Sequence, residues 1–360
     1  MRNSFGSFVT VTLFGESHGE AIGAVVDGLP SGIEVNEDYI RNKLTQRAPF
    51  GSISTQRRES DSFSIVSGVF NGYTTGAPLT VIIKNENTVS SDYSYLTDTP
   101  RPSHADYTAG IKYGGYQDYR GGGHFSGRLT APLVAIGAIA QSYLTKLGIK
   151  IGTHLASLGG VKDREFINFS EDISELAKKR FPVLDEVAAE DMTRVIEGAA
   201  KDGDSVGGVL ECACIGVPAG LGEPWFDTVE GELAKAMLSI PGVKGVEFGL
   251  GFGFAEARGS RVNDPFTVEN GKIRTLTNNN GGVNGGITNG MPIVFRVAIK
   301  PTPSIFKEQQ TVSLSRMEQT TLTVRGRHDP CIAHRARAVV DAMCALTVLD
   351  LYMRRGGTGK

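Results

Sequence analysis

Asp27-Gly28-Leu29-Pro30-Ser31-Gly32-Ile33 leads from an apolar stretch into a helix-forming one, and Ile215-Gly216-Val217-Pro218-Ala219-Gly220-Leu221 does the same. A second pair follows the same logic. Gly68-Val69-Phe70-Asn71-Gly72-Tyr73-Thr74-Thr75-Gly76-Ala77-Pro78 runs into one apolar strand, and Gly282-Val283-Asn284-Gly285-Gly286-Ile287-Thr288-Asn289-Gly290-Met291-Pro292 runs into another. After each strand comes an Arg/His/Asp loop, Arg101–Asp106 or Arg327–Asp329, and then a long helical pattern. Glycine and proline dictate the backbone of the turns they occupy. Four features repeated in one order therefore point to an internal duplication into two similar βα halves, with a pocket between their equivalent loops. That reading requires the same strand order in both halves. Glycine-rich turns that look alike by chance would not.

Hydrophobic patterning extends the reading. Strands are predicted at Phe8–Phe14, Ala21–Asp27, Phe63–Val69, Leu79–Lys84, Gly207–Ile215, Val243–Phe248 and Ile293–Ile299. Helices are predicted at Glu37–Gln46, Arg128–Lys146, Glu171–Lys179, Ala189–Lys201, Thr228–Ser239 and Ala333–Tyr352, with Asn36 as the cap of the first. Arg128–Lys146 is small or apolar nearly all round, so it should lie buried at the centre. The expected fold is α/β, an α+β layered sandwich of mixed sheets with central long helices. No Pro/Ser linker divides residues 1–360, which read as a single domain with a polar surface insertion at about 162–194.

Composition narrows the function. The chain has 360 residues, 46 of them glycine, and a formal net charge of −2. It can bury a large core, needs many tight turns, and lacks the basic excess of a nucleic-acid protein. The longest apolar run, Ala131–Ala140, is too short to span a bilayer, and no signal-peptide pattern opens the chain. Cys212 and Cys214 alternate on a strand, and no Cys/His pair has metal spacing, so the expectation is core thiols, no metal and a reducing, cytoplasmic setting.

Chemistry concentrates in four polar segments set among glycines and prolines: Gly15-Glu16-Ser17-His18-Gly19, Arg101-Pro102-Ser103-His104-Ala105-Asp106, Lys300-Pro301-Thr302-Pro303-Ser304 and Gly326-Arg327-His328-Asp329-Pro330-Cys331. They read as walls of one anion-lined pocket. His18 and His104 are the candidate proton donors. His328 is a loop stabiliser or a site wall, His154 is structural, and His334 is a cap or surface residue at the start of the last helix. Gly122–Arg128 has near P-loop spacing, but arginine replaces the lysine and Leu129 stands where Ser or Thr would hold magnesium. The loop can still offer backbone N–H groups to phosphate. Gly249, Gly251 and Gly253 form a weak dinucleotide fingerprint with no Rossmann helix after it.

These segments, together with Asp204–Gly208, Gly216–Pro224, Ser239–Val246 and Asn278–Gly286, resemble chorismate synthase in colinear order from about Ser4 to Asp350. The resemblance implies a carbon–oxygen lyase. It would convert 5-enolpyruvylshikimate 3-phosphate to chorismate and phosphate by 1,4-elimination, the last common step of the shikimate pathway to aromatic amino acids. Reduced FMN would be needed without net redox change, with NADPH or an external flavin reductase as the source of electrons. A cytoplasmic homotetramer with no nucleic-acid or membrane partner is implied too. Arginine forks suit a substrate with two carboxylates and a phosphate.

Residue by residue, His18 resembles the histidine near the leaving phosphate and His104 the one that governs flavin protonation. Asp329 resembles the carboxylate assisting proton transfer. Ser17, Arg47, Arg101, Arg128 and Arg327 match substrate-side positions, Arg47 being linked also to NADPH. His124, Phe125, Ser126, Gly285, Lys300, Pro301, Thr302, Pro303, Ser304 and Arg327 match FMN-side positions. The chain departs from the commoner pattern at His124-Phe125, where many relatives carry a polar pair. It also lacks an arginine just after Arg47-Ala48-Pro49. Phe125 either stacks on the flavin or anchors the following helix in the core. Two other classes stay open on residues alone: an ordinary flavin or NADPH oxidoreductase, and a non-catalytic binder of phosphorylated ligands.

Overall fold

A computed structural model describes residues 3–55, 60–86, 95–324 and 328–356. Arg327, one of the anticipated anion-site arginines, lies outside the described residues. In the first half, β1 (Thr10–Gly15), β2 (Ala21–Asp27), β3 (Phe63–Ser67) and β4 (Leu79–Lys84) form a sheet in the order β1-β2-β4-β3, with Ser4–Phe5 paired to the free edge of β1. In the second, β5 (Lys150–Leu158), β6 (Gly208–Ile215), β7 (Val243–Phe248) and β8 (Ile293–Ile299) form a sheet in the order β5-β6-β8-β7, with Val161–Lys162 paired to β5. The two orders are the same, as the duplication requires.

The turns repeat as well. The Thr74 hydroxyl donates to the Pro30 carbonyl at 2.6 Å and accepts from Ile33 N at 2.9 Å. The Thr288 hydroxyl donates to Pro218 O at 2.7 Å and accepts from Leu221 N at 2.9 Å. At the tips of the two short hairpins, Asn71 (φ 49) and Gly285 (φ 61) hold equivalent left-handed positions, which only glycine and asparagine adopt readily.

Between the sheets lie α1 (Glu37–Arg47), α3 (Thr130–Lys146), α6 (Val229–Leu238) and α7 (Ala333–Arg354). Strand alternation explains the inward faces: Leu79, Val81 and Ile83 of β4 and Ile293, Phe295, Val297 and Ile299 of β8 are all buried. α3 is apolar from Ala131 to Ala140 and fully buried there, as expected. It crosses α7 where Gly137 meets Ala342; a methyl group at Gly137 would overlap the Ala342 Cβ, so the close approach needs glycine.

The structure departs from the expectation in several places. Among the described residues every strand pairing is antiparallel, so the sheets are not mixed. Residues 162–194 carry α4 (Phe169–Lys178) and the start of α5 (Glu186–Lys201), and they bury Ile173, Leu176, Val183 and Met192. That stretch is part of the core rather than a polar excursion. Elements absent from the predicted set include β5, the short α2 (Asp106–Tyr113) and the hairpins Phe266–Thr275 and Gln309–Leu322. His334 is neither a cap nor a surface residue. It is fully buried, 2.9 Å from Ser54 Oγ and edge-on to Phe50, and burial pushes its pKa down to about 3. His154 has the polar company its strand context hid: Asp163 at 2.7 Å and Glu211 at 3.3 Å. The cysteines are free and buried, and no cluster of metal-ligating side chains occurs among the described residues.

Candidate active site

The loops that leave the sheets converge on a cleft of about 1610 Å³. The turn between β1 and β2 delivers His18. Ser17 Oγ lies 3.2 Å from the carbonyl oxygens of both Arg120 and Gly121 and 3.1 Å from His18 Nδ1, so it ties the histidine to the glycine loop. Ser17 thereby fixes the orientation of the His18 ring through Nδ1. Ser17 itself stands behind the histidine, buried, and does not line the cleft.

The glycine loop Gly121-Gly122-Gly123 packs directly on this turn, with φ of 57°, 88° and 52° in succession. It continues into His124, whose Nδ1–H donates to the Gly15 carbonyl at 2.8 Å, and into Phe125. Phe125 is 41 % exposed, faces the cleft, and meets Tyr113 edge-on at 6.1 Å. The core-anchor reading of this residue is thereby excluded. Ser126 accepts from Arg128 N at 3.2 Å and caps the short turn that leads into α3.

His104 sits on the opposite wall, at the head of α2. Its Nδ1 faces the Pro102 carbonyl at 3.1 Å, an acceptor only, and its Nε2 lies 2.9 Å from Ser304 Oγ. Nδ1 therefore carries the proton and Nε2 accepts from the serine. Burial first, then the neighbouring Arg101 cation, pushes its pKa down to about 4. In this arrangement His104 is a neutral imidazole around neutral pH. Lys300 Nζ donates to Ser103 O at 2.7 Å and ties the Lys300–Ser304 segment to the same loop. Pro301 and Pro303 line the cleft beside it; Thr302 does not.

The arginines come already paired. Arg101 grips Asp106 through Nε and Nη2, both at 2.8 Å. Arg47 and Arg128 share Asp61: Arg47 Nη1 reaches Oδ2 at 3.0 Å and Arg128 Nη1 reaches Oδ1. Asp329 accepts from Thr55 N at 2.8 Å through Oδ1 and pairs with Arg335 through Oδ2. Asp61 and Arg335 were not singled out from the sequence, and Asp106 entered only as the end of the Arg101–Asp106 loop. Each is an ordinary charge in a polar stretch, and only its partner, remote for Asp61, gives it meaning. Gly285 is exposed at its hairpin tip and does not line this cleft, so its turn geometry accounts for it.

A cleft with two histidines, a salt-bridged carboxylate and buried arginines is that of an acid–base enzyme for a polyanionic ligand. The comparisons agree. The family model for chorismate synthase matches residues 9–353. The chorismate synthase of Thermococcus gammatolerans is 51 % identical over 97 % of this chain and 97 % of its own, and that of Dehalococcoides mccartyi strain BAV1 is 48 % identical over 99 % and 98 %. A crystal structure of chorismate synthase superposes with a TM-score of 0.75 at 30 % identity, covering 98 % of this chain and 94 % of the other. The chain belongs to the chorismate synthase family, and it is a lyase of aromatic amino-acid biosynthesis.

Proposed function

We propose that the chain eliminates phosphate from 5-enolpyruvylshikimate 3-phosphate to give chorismate, with reduced FMN bound in the same cleft. The observation that carries this reading is the convergence of His18, His104, Asp329, Arg47, Arg101 and Arg128, drawn from distant parts of the chain, on one cavity large enough for two ligands. The residues present fit a flavin. Phe125 offers an exposed aromatic face, Gly122 leaves its backbone open to close approach, and Lys300 with Lys244 adds positive charge at the rim. Phe125, His124, Ser126, Lys300, Pro301, Pro303 and Ser304 would hold it. Reduced flavin supplies electron-donor and proton-acceptor chemistry that side chains lack.

The chain's own residues do the rest. One carbon–hydrogen bond and one carbon–oxygen bond break, and the electron pair of the first ends in the new diene as phosphate leaves with the second. His18, oriented through Nδ1, brings its imidazole to the departing phosphate, where a proton or a hydrogen bond lowers the cost of the developing charge. Arg47 and Arg128 hold cationic charge in the same wall. Asp329, held by Thr55 and Arg335, takes the part of receiving a proton passed on from the ring hydrogen. NADPH or a separate reductase keeps the flavin reduced, and the working form is a cytoplasmic homotetramer.

Anaerobic incubation of the protein with substrate and reduced FMN tests the reading. One phosphate released for each chorismate formed is expected. Tight substrate binding with no phosphate would make the chain a binding protein and overturn it.

A further inference from the structure

The two arginines of the anion wall are not free to choose their positions. Arg47, at the end of α1, and Arg128, just before α3, are both 8 % exposed, and Asp61, between their guanidinium groups, is 7 % exposed. All three line the cleft. Asp61 gives one carboxylate oxygen to each arginine, from a left-handed backbone (φ 48), a region in which aspartate is enriched among residues other than glycine.

The network reaches further on both sides. Arg47 also donates to Thr130 Oγ1 at 2.8 Å and to Gly127 O at 3.0 Å, which locks it to the start of α3. Arg128 Nε donates to Asn85 Oδ1 at 3.3 Å. The Asn85 amide in turn donates to the carbonyls of Glu16 and Gly19, both at 2.9 Å, on either side of Ser17 and His18. One carboxylate is thus the joint between two arginines and, through one of them, the histidine turn.

Two guanidinium groups this close repel each other in a site of low dielectric. A buried carboxylate between them holds them together and leaves the group with one net positive charge. We infer that Asp61 is a positioning residue: it fixes the spacing and direction of Arg47 and Arg128 so that the pair presents its one net positive charge at a preset place to an anionic group of the substrate. The inference rests on the function proposed above and adds the device that orders its anion site before the ligand arrives, which is where affinity is gained.

Two variants test it. Asp61→Asn keeps the shape and removes the charge; Asp61→Glu keeps the charge and moves it by one methylene. Wild-type turnover is measured alongside, since an inactive wild type would mean the proposed function has failed and not this inference. With an active wild type, each folded variant is expected to raise KM for the phosphorylated substrate at least tenfold while kcat falls less than fivefold. A KM within twofold of wild type in a folded Asp61→Asn or Asp61→Glu protein overturns the inference. So does a failure of both variants to fold, which would make the carboxylate a requirement of folding and not of the site.

Discussion

Gly121→Ala is the sharpest local test of how His18 is held. A methyl group on Gly121 would overlap His18 at Cε1 and Nδ1 and stand 3.1 Å from Ser17 Oγ. The ring must retreat by roughly 1.5 Å to restore an ordinary carbon contact of about 3.5–4.0 Å. That displacement breaks the Nδ1–Ser17 bond, which sets the direction of Nε2. The substituted residue must also hold φ 57, which costs about 1–2 kcal/mol for a side chain with a Cβ. Overpacking adds about 1–3 kcal/mol, for a total of about 2–5 kcal/mol. With an unfolding entropy of about 2.1 cal/mol/K per residue, a chain this long loses roughly 1.3 °C of Tm per kcal/mol, so Tm should fall by about 3–6 °C. Misplacing a reacting group by this distance costs on the order of 100-fold in kcat. Steady-state phosphate release and thermal unfolding measure both. A variant with wild-type kcat and a lowered Tm would show that the orientation of His18 by this loop is irrelevant to turnover. Wild-type values for both would refute the packing itself.

Two further outcomes follow from burial. His334 binds a proton with a pKa pushed down to about 3 in the folded protein, against 6.5 when unfolded, so the unfolded state gains protons first as pH falls. Its contribution to stability is complete above pH 6.5 and is lost between there and about pH 3, amounting to about 3 kcal/mol between pH 7 and pH 4. His104, pushed down to about 4, acts with the same sign over a narrower window. Denaturant titrations at pH 7 and pH 4 should show the loss, and His334→Gln should reduce it; an equal pH slope in that variant would remove His334 as the cause. Phe125→Ser should weaken flavin binding at least tenfold while Tm moves by about 1 °C or less, because the side chain is already partly exposed. Unchanged flavin affinity would take Phe125 out of the flavin site.

The fold was legible where turns repeat. Gly28 and Gly216, Thr74 and Thr288, and Asn71 and Gly285 mark equivalent corners, and the two sheets built on them share one strand order. Helix periodicity and burial were also readable: α3 is where its apolar run places it, and α7 begins at Ala333 as expected. α2 escaped notice because Asp106–Tyr113 is short and buries only Ala109, leaving no apolar stripe to detect. Residues 162–194 looked like a surface insertion because their charges dominate the composition, yet Ile173 and Leu176 in α4, and Ala188 and Met192 in α5, recur at helical spacing and are buried.

At the site, the histidines and arginines were legible as residue types on glycine-rich loops. Their ionic partners were not. Asp61 lies 14 residues from Arg47 and 67 from Arg128, and nothing in its neighbourhood distinguishes it from any surface aspartate. The protonation state of His104 depends on Arg101, Pro102 and Ser304 meeting around it, which is a property of the folded chain alone. Gly285 shows the reverse case, in which a motif position is explained by a backbone turn shared with Asn71 in the other half.

The account stands most directly on the balance of electrons. Under anaerobic conditions, with substrate in large excess over FMN, phosphate, chorismate and the flavin spectrum should be followed together over many turnovers. Phosphate should appear only when reduced FMN is present, chorismate should match it one for one, and the flavin should end as reduced as it began. Phosphate release with oxidised or absent flavin, or one reduced FMN consumed for each phosphate, would contradict the assignment.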